Sequence, residues 1–138
     1  MEPDYTLPGA NDLKEPASTL CAMFDHAVAT APDKVALRHL GAVLTYRELG
    51  LAVAALAQRL AAMVARGEVV AIVLPNSIEF HVAYFAALKA LAAPALLNPV
   101  YPAVELAPLL RQAAPRTIPL RAADARHANR SRARSRHT

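Results

Sequence analysis

The stretch Val69-Val70-Ala71-Ile72-Val73-Leu74-Pro75-Asn76-Ser77-Ile78-Glu79-Phe80 decides the fold. Its first six residues form an unbroken apolar run dominated by β-branched side chains. A strand with only one buried face would alternate apolar and polar residues, so an unbroken run points to a strand covered on both faces, as in a parallel sheet. Pro75, Asn76 and Ser77 then make a turn, and Asn76 and Glu79 have the spacing of a helix-initiating capping box. Phe80, Ala83, Tyr84, Ala87, Leu88 and Leu91 follow on one face of a helix, and residues 95–97 supply a second short strand. A strand, a helix and a strand joined by brief connections form a βαβ unit, with parallel strands and a right-handed crossover. The expected fold class is therefore α/β.

Towards the N-terminus, Gly67 closes a segment opened by Thr45 and Glu48, a second pair at capping-box spacing. Between them Leu49, Val53, Leu56, Leu60 and Val64 make one apolar stripe, which predicts an amphipathic helix. Residues 35–39 and 42–45 are β-prone and flank Leu40-Gly41, which predicts a small hairpin. A first helix is expected from an N-cap at Ser18 through Leu20, Met23, Phe24, Ala27, Val28 and Ala31, stopped by Pro32. Residues 1–16 carry three prolines and no periodicity, and read as an extended lead-in. Towards the C-terminus, a last helix is expected over 103–114, ending before Pro115. The organisation is thus a lead-in over 1–17, a folded body over 18–118 and a tail over 119–138.

The chain has 138 residues, which suits one domain. Hydrophobic residues make up 55%, but 32 of them are alanine, so the core available is thin. The net charge of +4 is unevenly distributed: residues 1–115 hold 8 basic and 10 acidic residues, residues 116–138 hold 7 basic and 1 acidic. From Arg121 onward there are six arginines and five alanines but no Val, Ile, Leu, Met or aromatic residue, so a disordered basic tail is expected. The longest uncharged stretch, 90–104, is 15 residues with three prolines, too short and too broken for a membrane span of about 20. The acidic, proline-bearing start has no secretory or transit-peptide pattern, so the cytoplasm is the expected compartment. Cys21, the single cysteine, reads as an inert packed thiol, since one cysteine cannot form an internal disulfide or a multi-thiolate zinc site.

Three segments occur in a familiar order: Leu44-Thr45-Tyr46-Arg47-Glu48-Leu49, then Val70-Ala71-Ile72-Val73-Leu74-Pro75-Asn76-Ser77, then Ala83-Tyr84-Phe85-Ala86-Ala87-Leu88. Leu97-Asn98-Pro99 and Glu105-Leu106 follow, ahead of Leu109 and Leu110. Over residues 19–117 this order resembles the N-terminal part of an AMP-forming acyl-CoA synthetase, a member of the AMP-dependent synthetase/ligase, or adenylate-forming, superfamily. The resemblance implies part of the N-terminal subdomain of that fold. It also implies a parent activity in which ATP activates a carboxylate to an acyl-adenylate and the acyl group passes to a thiol, usually coenzyme A.

The family's glycine-rich phosphate loop has no counterpart here, because no glycine follows Gly67. The resemblance places the family's magnesium and ribose carboxylates and its C-terminal lysine beyond the matched region. No catalytic, cofactor-binding or metal residue is therefore carried over. ATP, magnesium and coenzyme A are expected of the full-length family and not of this chain, which is read as a truncated and catalytically incomplete ligase. Met63 and Leu91 stand where the family usually has glycine at helix ends, so each is expected to strain a helix exit. The abrupt change of composition after Ile118 is the pattern expected of a truncation or a shifted reading frame.

His26, His39, His81, His127 and His137 are scattered without ligand spacing, so surface histidines are expected in place of a metal centre. Arg126, Arg130, Arg132, Arg134 and Arg136 could contact phosphates, but no aromatic residue interleaves for base stacking, so specific nucleic-acid binding is not expected. The alternative in another functional class is a small non-catalytic module whose basic tail binds nucleic acid or acidic partners. With too few elements to cover a two-sided sheet, the isolated chain is expected to expose an apolar surface, to self-associate or to bind chaperones.

Overall fold

The computed structural model describes residues 19–113 and 118–120. The expected lead-in, the Ser18 cap and most of the basic tail lie outside the described residues. Helix α1 runs over Leu20–Thr30, with Thr19 as N-cap accepting from the Ala22 amide through Oγ1 at 3.1 Å. Strands β1 (Val35–His39) and β2 (Ala42–Thr45) pair antiparallel as the expected hairpin, with His39 opposite Ala42. Its two-residue turn places Leu40 at φ 47° and Gly41 at φ 81°. Positive φ at both central residues is the type I′ pattern, which follows the twist of the strands and favours Asn-Gly. Leucine suits that first position poorly, and its side chain is 92% exposed.

Helix α2 (Tyr46–Ala61) starts on the predicted capping box, in which the Glu48 amide donates to Thr45 Oγ1 at 3.2 Å and the Thr45 amide to Glu48 Oε2 at 2.9 Å. All five residues of the predicted stripe, Leu49, Val53, Leu56, Leu60 and Val64, are buried. A Cβ at Gly50 would lie 3.0 Å from a Val28 methyl, so glycine lets α1 and α2 approach closely. Backbone bonds from Tyr46 to Lys34 and from Arg47 to Pro32 tie the start of α2 to the base of the hairpin.

Strand β3 (Val69–Val73), helix α3 (Ile78–Lys89) and strand β4 (Ala93–Leu97) form the predicted βαβ unit, with β3 and β4 parallel and Ile72 opposite Leu96. The cap of α3 is Ser77, one residue beyond Asn76: its Oγ accepts from the Phe80 amide at 3.2 Å. The buried face of α3 is also rotated from the predicted one. Val82, Ala83, Ala86 and Ala87 are buried, Phe80 and Tyr84 only partly, and Leu91 is exposed. Alanines form the inner face because they let α3 sit close to α2 and the sheet, which pushes the larger side chains to its flanks.

After α4 (Ala103–Ala113), a third strand, β5 (Ile118–Leu120), pairs parallel with the other side of β3, giving the order β4-β3-β5. Regular structure thus runs to Leu120, two residues past the expected end of the body. Pro94 and Pro119 both lie on edge strands, where the missing amide donor costs no interior ladder bond. Val70, Ala71 and Ile72 are each fully buried in succession, so the central strand is covered on both faces, as its unbroken apolar run predicts. Exposed apolar residues gather instead along β4 and the start of α4: Leu96, Val100, Tyr101 and Val104. Helix α4 buries no residue and carries Pro108 in its interior, where an amide donor is lost.

Leu91 takes φ 59°, as expected of a residue at a glycine position, but Met63 does not adopt positive φ. The chain leaves α2 through amides of Met63 and Val64 that both donate to the Leu60 carbonyl, which needs no left-handed residue. The strain thus falls on Leu40 and Leu91. Leu40→Asn and Leu91→Gly should each stabilise the fold by up to about 1 kcal/mol, read as a higher denaturation midpoint, whereas Met63→Gly should not.

Candidate functional site

In open α/β sheets, ligands bind beyond the carboxyl ends of the strands, where successive connections leave in opposite directions. The order β4-β3-β5 has that reversal at β3. A cleft of about 440 Å3 lies at this end, lined by Leu74, Pro75 and Asn76 after β3, by Phe80 of α3, and by residues 96–100 at the end of β4. Its shape follows from local turn chemistry. Asn98 Oδ1 accepts from the Val100 amide at 3.0 Å, and the Asn98 carbonyl accepts from the Tyr101 amide at 3.2 Å, which folds the chain back after β4. Ser77 is nearly buried and committed to capping α3.

Among the described residues, the only polar side chains lining this cleft are the amides of Asn76 and Asn98, and none that lines it is an acid, base, cation or nucleophile. The arrangement can shape one wall of a site.

Elsewhere the structure brings together residues that lie far apart in sequence. His39 and His81 line one depression of about 230 Å3 with Arg38, Asn76 and Ser77, whereas His26 lies apart on α1. His127 and His137 are outside the described residues, as are the tail arginines. Among the described residues no group of three His, Cys, Asp or Glu side chains could hold a metal ion. The meeting of His39 and His81 could not be read from spacing, since it depends on how the hairpin docks against α3. Cys21 is half-buried, and desolvation pushes its thiol above the usual range; Lys89 opposes that shift and Asp25 adds to it. Lys89 and Asp25 also form an ion pair between α3 and α1. No helix among the described residues is long and apolar enough to cross a membrane.

A parallel strand–helix–strand core with a small antiparallel hairpin beside it, and a cleft at the strand ends, defines an open α/β scaffold. The pattern of the AMP-binding enzyme family matches residues 24–137, and the chain belongs to that family. The matched span continues through the arginine-rich region that composition sets apart. Phosphinothricin tripeptide synthetase PhsB of Streptomyces viridochromogenes is 40% identical over 114 residues, 81% of this chain and 9% of the relative. The long-chain-fatty-acid–CoA ligase of Haemophilus influenzae is 37% identical over 86 residues, 61% of this chain and 15% of the relative.

Among solved structures, the N-terminal subdomain of Klebsiella oxytoca NpsA in complex with 3-hydroxyanthranilyl-AMSN superposes with a TM-score of 0.70 at 27% identity, covering 80% of this chain and 30% of that one. The fold is that of part of the N-terminal subdomain of an adenylate-forming enzyme. The chain spans 15% or less of the length of the curated relatives it matches.

Proposed function

We propose that this chain is the N-terminal scaffold segment of an enzyme that activates a carboxylate with ATP, and that it does not catalyse adenylation on its own. The observation that carries the reading is the lining of the cleft at the strand ends, where the described residues supply apolar side chains and two amides. The absence of glycine beyond Gly67 supports the same view, because a loop that wraps phosphate closely needs residues without bulky side chains. In this reading β3, α3 and β4 hold one wall of the carboxylate and nucleotide site, and the reacting groups come from sequence outside the 138 residues.

Coenzyme A is the acceptor thiol suggested by the synthetase resemblance and by the fatty-acid–CoA ligase relative. A carrier-bound thiol is the acceptor suggested by the larger number of peptide-synthetase relatives and by the NpsA–ThdA adenylation–PCP fusion. The common first step, acyl-adenylate formation, is the part of the proposal that both kinds of relative support.

The test is carboxylate-dependent exchange of pyrophosphate into ATP, measured on the purified 138-residue chain over a panel of fatty, aryl and amino acids. Exchange should stay at the level of a blank without protein. Exchange that depends on one acid and on the chain would overturn the scaffold reading.

A further inference from the structure

Strand β4 lies at one edge of its sheet, so among the described residues its outer side is unpaired. The Ala93 amide donates inward to the Glu68 carbonyl at 2.9 Å, at the start of the β3 ladder. In a parallel ladder alternate residues turn both backbone groups to the same neighbour. Ala93, Ala95 and Leu97 therefore bond to β3, while Pro94, Leu96 and, next in the alternation, Asn98 turn theirs outward. The outer edge offers the Pro94 carbonyl with no amide donor, both groups of Leu96, and an Asn98 amide that donates to nothing among the described residues. The Asn98 carbonyl already accepts from the Tyr101 amide at 3.2 Å.

This set of groups complements itself. We propose that β4 pairs antiparallel with β4 of a second copy of the chain, about a two-fold axis at Leu96. The two Leu96 residues then exchange amide and carbonyl bonds, and each Asn98 amide donates to the Pro94 carbonyl of the other copy. The donor that Pro94 lacks falls opposite the Asn98 carbonyl, which Tyr101 has already satisfied. Moving the axis to Ala95 sets Pro94 against the Leu96 carbonyl and leaves that acceptor unpaired. Moving it to Leu97 sets the Leu96 amide against the occupied Asn98 carbonyl. One register thus pairs every outward group.

The side chains agree with this pairing. Leu96, 51% exposed, meets its own copy across the axis. Residues 90–104 carry no charge, so the edge lacks the charged side chains that commonly keep edge strands apart. The strand at the opposite edge, β5, has Arg116 and Arg121 beside it in sequence, which would set like charges against each other in the same kind of pairing. A two-fold contact of this kind closes on itself, so it yields a dimer, and it does not depend on the adenylation reading.

Two measurements on the whole chain test the register. Leu96→Pro removes an outward amide and no bond to β3, and in sedimentation it should weaken the dimer at least 10-fold, since two of the four bonds are lost. In a Cys21→Ser background, Leu96→Cys should form a disulfide dimer under mild oxidation. The Cα atoms of such a pair lie about 5.5 Å apart, within the range of about 4.4 to 6.8 Å that a disulfide spans. Val100→Cys, although 82% exposed, should not cross-link, because its two copies stand on opposite sides of the axis. A native chain that stays monomeric as concentration rises, a dimer unchanged by Leu96→Pro, or cross-linking of Val100→Cys as fast as that of Leu96→Cys would each overturn the proposal. If Leu96→Pro fails to fold, the native dimer and the cysteine comparison decide it.

Discussion

Replacing Leu60 by alanine is expected to lower the melting midpoint of the chain by about 10 °C or more, or to abolish the cooperative transition. Leu60 is among the largest fully buried side chains and sits in the last turn of α2, where its stripe meets the rest of the core. Truncating a buried leucine removes transfer free energy and leaves a cavity, which together cost about 2 to 5 kcal/mol. A domain of this size has a net stability of only about 5 to 15 kcal/mol, and each kcal/mol moves the midpoint by about 4 to 8 °C. Seven of the 17 residues of the core are alanines, so few neighbours can move in to fill the gap. Leu51→Ala on the exposed side of the same helix is the control, and should cost less than about 1 kcal/mol. Equal losses for the two variants, by calorimetry or denaturant titration, would show that the stripe is not the core.

What could be read in the sequence was local or periodic. The capping box at Thr45 and Glu48, the stripe from Leu49 to Val64 and the unbroken run of β3 each depend on residues within a few turns of one another, and each appears as expected. The details that differ were settled by tertiary packing. Asn76 and Ser77 are both able to cap, and Ser77 is the one that accepts from the Phe80 amide. The inner face of α3 rotates onto alanines because close approach to α2 and the sheet outweighs the larger side chains at Phe80 and Tyr84. Met63 stands where the family resemblance implies glycine, yet the chain leaves α2 without needing a left-handed residue there. At the candidate site, the turn residues from Leu74 to Ser77 and the Leu97-Asn98-Pro99 segment were visible in sequence, but their convergence on one cleft follows from the parallel pairing of β3 and β4. The depression shared by His39 and His81 was not visible, because the hairpin and α3, distant in sequence, build it.

The central claim is that this chain is a scaffold segment whose apolar end is meant to be covered by further sequence. Leu91, Leu96, Val100, Tyr101 and Val104 remain exposed around β4 and the start of α4, and α4 has no buried residue and a proline in its interior. Each large apolar side chain left in water forgoes about 1.5 to 3 kcal/mol of burial, and an interior proline costs about 3 kcal/mol. Those losses are comparable with the whole net stability of a small domain. The most direct measurement is a thermal melt of the purified 138-residue chain, run with its oligomeric state and its binding of a hydrophobic dye. The account predicts dye binding at ambient temperature, self-association that rises with concentration, and a low or broad transition. A monomer that melts cooperatively above about 60 °C without binding dye would contradict it.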